Sequence, residues 1–332
     1  MALNPGVMQV ADAADLVDLS IQDKFVKEEG AKYVTFYRDF CNVRTGNMDE
    51  TVKDTSISGL TGFQRKAEGA GRPKDKPIQG YDKSVTMTEY SIQFEVTKRM
   101  WMFGLKKNNI EGRVSSAKKA AMVRREKDFE LRLVNGTSTT YTSEEGDIIT
   151  ISGGDGVALF SSAHTREDGG TNNNNVIYDG TNYNMDFDYD ALKALRKTSV
   201  AVKGLRGEEM GFDPKYLAFK AGSVAYMDAL EVNRPISENK RPRSADNDGS
   251  GVKGAYTIFD LHYLTSETAW FAFDPEYRNA DYGFQYVESQ DITLGNQIVN
   301  EDTGNFKYNI DAIYEYYHND YRPWYGSTGL NA

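Results

Sequence analysis

The chain has 332 residues, enough for two domains or for one domain with large excursions, and its 39% hydrophobic content supports a sizeable core. A net charge of −10, 27% charged residues and a mean hydropathy of −0.61 predict a soluble protein. They argue against a tight grip on duplex nucleic acid, which needs a basic face, but not against a wall that encloses it. No window approaches the ~18 apolar residues of a membrane span, and the start lacks a basic leader and an apolar run. The single cysteine, Cys41, can form no intrachain disulfide and reads as a small buried apolar group.

Residues 1 to about 45 read as an arm, with Leu16, Val17, Leu19 and Ile21 at no clean period. Tyr33–Tyr37 is predicted as a strand from its β-branched and aromatic content. A two-stranded excursion follows, outward through Thr51, Val52, Thr55, Ile57 and Leu60 and back through Val85, Met87, Tyr90, Ile92, Phe94 and Val96. The apolar positions change parity on the return, which predicts a bulge or bend near Thr88 and Glu89. Its tip runs Gly69-Ala70-Gly71-Arg72-Pro73-Lys74-Asp75-Lys76-Pro77, with Arg65 and Lys66 just before and Lys83 adding basic bias. That stretch has almost nothing apolar to bury at home, so a neighbouring copy is expected to receive it. Arg65, Lys66, Arg72, Lys74 and Lys76 are the candidate inter-subunit contacts.

A helix is predicted over 110–135, with Asn108 and Asn109 as candidate N-caps and Asn135-Gly136 as the stop. One apolar stripe (Ile110, Val114, Ala117, Ala121) ends at Arg125 and Asp128, and a second (Met122, Phe129, Leu133) takes over. A helix whose apolar face changes partway lies across more than one neighbour, as a brace does. Lys98–Arg132 carries eleven Lys/Arg against four Asp/Glu, whereas Thr265–Asp320 carries eleven Asp/Glu against two Lys/Arg. Opposed patches of this kind suit head-to-tail contacts between copies, with solvated faces as the alternative.

Beyond Gly153-Gly154-Asp155-Gly156 comes a short apolar run, then a polar loop at Asn172–Asn175. A helix from Tyr189, a strand at Tyr216–Phe219, a short helix near Val224–Met227 and a long polar loop at 234–254 follow. Further strands are predicted at Tyr256–Leu264, Ala269–Phe273, Tyr282–Val287 and Tyr308–Tyr317. The alternation indicates an α+β fold with a largely antiparallel sheet. His164, His262 and His318 are too scattered for a metal site, and His164 reads as a loop hydrogen-bonder. No phosphate loop, nucleophile elbow or marked carboxylate cleft appears, so no cofactor and no enzymatic activity are expected. The C-terminal aromatics Tyr314, Tyr316, Tyr317, Tyr321, Trp324 and Tyr325 have acidic neighbours and read as core and interface residues, not base-stacking platforms.

Taken in order, the arm, hairpin, long helix ending in Asn-Gly, the stretch Gly154–His164, the Pro214-Lys215-Tyr216-Leu217-Ala218-Phe219 strand and the closing Asn319–Gly326 resemble the major capsid proteins of tailed bacteriophages. The resemblance covers nearly the whole chain. It implies a coat fold shared with encapsulin shells and the herpesvirus capsid floor. It also implies an N-terminal arm at 1–48, an extended loop at 49–100, a peripheral domain at 101–186 and 305–332 carrying the spine helix, and an axial domain at 187–304. Its functional implication is a virion protein assembled in the host cytoplasm as hexamers and pentamers of an icosahedral head around double-stranded DNA. Scaffolding, portal and decoration proteins are the further partners it brings, and an encapsulin-like compartment is the alternative. No acidic or coiled-coil leader precedes the arm, so a separate scaffold, or none, is expected. Lys74 and Lys76 are the candidates for the covalent crosslink some relatives form, and no crosslink is predicted.

Overall fold

The computed structural model describes residues 21–27, 35–57, 65–69, 71–72, 74, 77, 79–102, 107–166, 168–233, 255–279 and 282–330. Parts of the expected arm, Lys76 and the whole 234–254 loop lie outside these residues.

Residues 21–27 are helical (α1), followed by a single helical turn, α2, at Tyr37–Phe40 and strand β1 at Asn42–Thr45. The hairpin strands are β2 (Thr51–Ile57) and β3 (Gln79–Thr86), and β4 spans Thr88–Val96. A short helix α3 (Lys98–Met102) leads to the spine helix α4, Lys107–Val134. It is followed by β5 (Thr140–Thr142), β6 (Ile148–Thr150), α5 (Tyr189–Ala201), β7 (Tyr216–Lys220) and α6 (Val224–Val232). The chain closes with β8 (Thr257–Leu261), β9 (Trp270–Phe273), β10 (Phe284–Leu294), β11 (Ile298–Val299), β12 (Phe306–His318) and β13 (Trp324–Ser327).

Two sheets carry the fold. In the first, β12 is central, with β10 antiparallel on one edge and β4 antiparallel on the other. β11 continues the β10 edge, and β1 adds to β10 in parallel, Asn42 opposite Gln285. The second sheet runs β13-β9-β7-β8, with only β7–β8 parallel. The expected largely antiparallel α+β arrangement is therefore present. The last segment of the chain divides between the sheets, β12 in one and β13 in the other.

Three local expectations change. Tyr37 starts a helical turn instead of ending a strand, because Phe36 is in the right-handed helical region and the turn sends Tyr37 and Phe40 into the core together. Tyr33 and Val34 lie outside the described residues. The spine helix begins at Lys107, so Asn108 and Asn109 are inside it and do not cap it. Its stop is as expected: the Gly136 amide donates to Leu133 O at 3.1 Å, and a Cβ there would lie 2.7 Å from the Phe160 ring. Gly326 is as close to Phe160 from the other sheet, so two glycines admit one ring of the Gly154–His164 stretch.

The core where the layers meet is aromatic. Phe129 of α4 lies 5.8 Å from Phe40, 5.7 Å from Phe284 and 6.1 Å from Tyr316, ring centre to ring centre. Phe273 and Trp324 stack at 4.7 Å in the second sheet, and Phe40 reaches Trp324 at 5.7 Å. The C-terminal aromatics are thus core, as read from their acidic neighbours: all six are buried. Phe129 is fully buried among rings from three elements, α2, β10 and β12. Phe129→Ala is expected to cost about 3–5 kcal/mol in urea unfolding of the unassembled subunit, and a loss below about 1 kcal/mol would contradict this packing.

Candidate functional site

The hairpin and the structure that holds its root form the candidate site. β3 pairs with β2, Thr51 opposite Thr86 and Asp54 opposite Lys83. At Met87, whose amide donates to Glu50 O at 2.9 Å, the returning chain leaves β2 and joins β12. This is the partner change that the parity switch near Thr88 foretold. Along β4 and β12, Phe94 faces Tyr308 with rings stacked at 5.3 Å, and Tyr90 stacks diagonally on Tyr314 at 4.5 Å. Such cross-strand pairs contribute roughly 0.2–1 kcal/mol each.

The root is fixed by the end of β12. The Tyr317 hydroxyl donates to Asp54 Oδ2 at 2.6 Å, and Arg44 holds Asp54 Oδ1 at 3.0 Å. Thr88 Oγ1 donates to Glu315 Oε2 at 2.6 Å, and the other Glu315 oxygen pairs with Arg132 of the spine helix. Tyr81, buried, donates its hydroxyl to Thr165 O and receives Asn319 Nδ2 on its carbonyl at 3.3 Å. Lys83 also belongs to the root: its Nζ donates to Ser152 O at 2.7 Å, and burial lowers its pKa. Expected to bias the distal hairpin, it is an anchor instead.

The tip is different. Arg65, Lys66, Arg72 and Lys74 are all exposed, as are the other described residues from 65 to 77. A Cβ added at Gly69 or Gly71 would meet nothing within 4 Å. The hairpin is a cantilever with a clamped root and an unburied end.

What clamps the root is the C-terminal half of α4, and its means are buried arginine and carboxyl side chains. Arg125 and Arg132 are each 3% exposed, and Glu126, Asp128 and Glu130 at most 1%. Arg125 donates to Asp291 Oδ1 at 2.9 Å and lies 3.5 Å from Glu288, both in β10. Asp128 accepts from Arg124 Nε at 2.8 Å and from the Tyr314 hydroxyl at 2.9 Å. Glu126 accepts the Tyr37 amide at 3.1 Å, and Glu130 accepts the Tyr263 amide beyond β8. One helix therefore holds the turn at Tyr37, the strands β10 and β12, and the segment that follows β8, as a brace across several neighbours does. The opposed charge patches meet in part inside one molecule, Arg125 and Arg132 on α4 against Glu288, Asp291 and Glu315. That fraction is not free for contacts between copies.

Burial pushes the Glu126 carboxyl up to about 9, aided by the charge of Glu130 one turn away. It pushes Glu130 up to about 8 against the backbone amides that face it. His318, with Nε2 lacking a hydrogen-bond partner among the described residues, is pushed down to about 3 by burial and by Lys83, His164 and Arg132. His164 is a structural hydrogen-bonder as read: Nδ1 meets Asp155 Oδ2 at 2.6 Å, Nε2 meets Asn175 Oδ1 at 3.2 Å, and the ring stacks on Tyr321. Among the described residues, no group of three or more His, Cys, Asp or Glu could hold a metal ion, and no helix is long and apolar enough to cross a membrane.

No family model matches this chain, and no curated protein does. Solved structures do. The capsid of Myoviridae phage XM1 aligns with a TM-score of 0.51 at 12% identity, over 90% of this chain and 92% of that one. The capsid of an empty GTA particle aligns with a TM-score of 0.50 at 12% identity, over 97% and 98%. A virus-like particle from Pyrococcus furiosus aligns with a TM-score of 0.45 at 10% identity, over 94% and 98%. The first two identify the fold: this chain has the mixed helix-and-sheet coat fold of tailed-phage capsids.

The glutamate pair gives a pH signature. Both folded-state pKa values lie above the ordinary 4.5, so the protonated forms favour the fold. That contribution is complete below about pH 4.5 and is lost as pH rises through 8–9, at up to about 1.4 kcal/mol per pH unit for each carboxyl. Thermal unfolding of the unassembled subunit from pH 6 to 10 should show this decline in the native chain and a flatter one in Glu126→Gln/Glu130→Gln. Parallel declines would contradict it.

Proposed function

We propose that this chain is the major capsid protein of a tailed bacteriophage, a structural subunit and not an enzyme. Copies join as hexamers and pentamers into an icosahedral head that encloses double-stranded DNA without reading its sequence. The observation that carries this reading is the cantilevered hairpin: its root is clamped by β12 and α4, and its basic tip is exposed. A rigid arm with an unburied end gains nothing for the monomer and gains contact area in an assembly. The whole-length coat fold supports the same reading.

In this reading the arm is 1–48, the extended loop 49–100, the peripheral domain 101–186 with 305–332, and the axial domain 187–304. Arg65, Lys66, Arg72, Lys74 and Lys76 contact a neighbouring copy. The net charge of −10 suits a wall that should not adhere to packaged DNA. The protein resides in the virion after assembly in the host cytoplasm, where scaffolding, portal and decoration proteins are its further partners.

Electron microscopy of the purified protein across ionic conditions is expected to show closed shells of uniform size, and monomers under every condition would contradict the reading. Shells filled with a cargo enzyme would point to an encapsulin-like compartment instead. Removing residues 65–76 is expected to abolish shell formation while circular dichroism and thermal unfolding of the subunit stay near native. Normal shells from the shortened chain would refute the clasp.

A further inference from the structure

The Gly154–His164 stretch contains a buried pair that the bracing by α4 does not use. His164 and the Asp155 side chain are at most 1% exposed. The two ring nitrogens of His164 face two acceptors: Nδ1 lies 2.6 Å from Asp155 Oδ2, and Nε2 lies 3.2 Å from Asn175 Oδ1. The other bonds of Asn175 fix which of its atoms meets the ring. Its Nδ2 donates to Leu159 O at 2.6 Å and to Trp324 O at 3.0 Å, and its Oδ1 accepts the Ser161 amide at 2.9 Å. Turning that side-chain amide over would break all three. A neutral imidazole carries one hydrogen and can serve only one of two acceptors. Its second nitrogen would then aim a lone pair at an oxygen lone pair, with no water to intervene, and a buried polar group left unsatisfied costs its full desolvation.

We propose that His164 is held as an imidazolium between Asp155 and Asn175, and that this buried ion pair is a proton-operated latch on the platform that carries the hairpin root. The proton between Nδ1 and Oδ2 belongs to the nitrogen, because imidazole, at about 6.5, is a stronger base than a carboxylate at about 3.9. The pair ties Asp155 to His164 across nine residues, and the His164 backbone is bridged to Asn173 in both directions, at 3.2 and 2.9 Å. The segment closed in this way is the one on which the root rests. Lys83 is bound to Ser152 O at its start, and the Tyr81 hydroxyl to Thr165 O at its end. Between them the Gly154 amide donates to Asn319 O at 3.0 Å, and Asn319 Nδ2 returns to Tyr81 O. The ring itself stacks on Tyr321, whose hydroxyl accepts from Asn173 Nδ2 at 2.8 Å. Two further titratable groups bear on the pair. Lys83 of β3 acts on the Asp155 carboxylate, and His318 of β12, pushed down to about 3 by burial, stays neutral near His164. Loss of the shared proton leaves Asp155 Oδ2 facing a bare Nδ1, so the latch opens as the pH rises. This is a property of the single subunit and stands or falls apart from assembly.

The chain has three histidines, so NMR of the unassembled subunit labelled with nitrogen-15 histidine resolves each ring, and His164→Gln assigns the signal. Near neutral pH, where an ordinary imidazole is mostly neutral, both ring nitrogens of His164 are expected to carry hydrogen. In Asp155→Asn a carboxamide of the same size donates to Nδ1, so His164 should keep only the hydrogen on Nε2 while circular dichroism stays native. A bare Nδ1 in the native chain overturns the imidazolium, as does an unchanged pattern in a folded Asp155→Asn. The latch is read by raising the pH until Nδ1 loses its hydrogen. Hydrogen-exchange protection of Ser152–Thr165, Tyr81 and Lys83 should then fall by roughly tenfold or more, the scale of one charge-assisted hydrogen bond, and Asp155→Asn should show no step at that pH. Protection that stays level as the hydrogen leaves, or a hydrogen retained until the subunit unfolds, overturns the latch. The native chain alone gives both readings, so a variant that fails to fold does not remove the test.

Discussion

The rest of the structure depends on one buried ion pair, Arg132 of the spine helix with Glu315 of β12. Removing two charges from water costs several kcal/mol unless their remaining bonds are met inside the protein. Here they are met in a way that draws in other elements. Glu315 also takes the hydroxyl of Thr88, where the returning hairpin strand changes partner, and Arg132 donates to Asp128 O at 3.1 Å. Asp128 in turn holds Tyr314 and Arg124. The helix, the central strand and the hairpin root are thereby fixed by groups that cannot be separated singly without leaving a charge unpaired.

That constraint explains how a thin ribbon can leave the molecule and still have a direction. An isolated two-stranded hairpin is marginal in water. This one inherits order from the five-stranded sheet, because its second strand continues into β4 and is held on β12 by Phe94–Tyr308 and Tyr90–Tyr314. The orphaned polar surface at the tip is tolerable because the tip is charged, small and exposed. Stability and assembly therefore belong to different parts of one ribbon: the root satisfies the monomer, and the end is left for its neighbours.

Much of this was legible in the residues. The parity change near Thr88 and Glu89 located the bend to within a residue or two of the partner change at Met87, since alternation in a strand registers which face is buried. The two apolar stripes of the spine helix showed that it touches more than one neighbour, and Val114, Ala117, Phe129 and Leu133 are all buried. The acidic company of the C-terminal tyrosines spoke against base stacking and for burial, because an acidic surround repels a phosphate backbone, and all of them are buried, Tyr314 with its hydroxyl on Asp128. The charged part of the clamp was not legible. Arg125 and Asp128 mark the end of an apolar stripe and Arg132 lies one turn further on, and a periodic pattern cannot distinguish a solvated charge from one whose partner sits 166 or 183 residues away. Residues 35–37 misled for a related reason: local strand propensity yielded to the Glu126 carboxyl, which takes the Tyr37 amide. The parallel addition of β1 to β10 was equally silent, because pairing across some 243 residues leaves no local mark.

The most direct test of the account is amide hydrogen exchange on unassembled subunits and on shells of the same chain. The account predicts that β3, β4 and β12 are protected in both states, whereas residues 65–72 exchange freely in the subunit and become protected only in the shell. Protection of those residues in the lone subunit, or free exchange in the shell, would contradict the claim that the ribbon's end is completed by a neighbour.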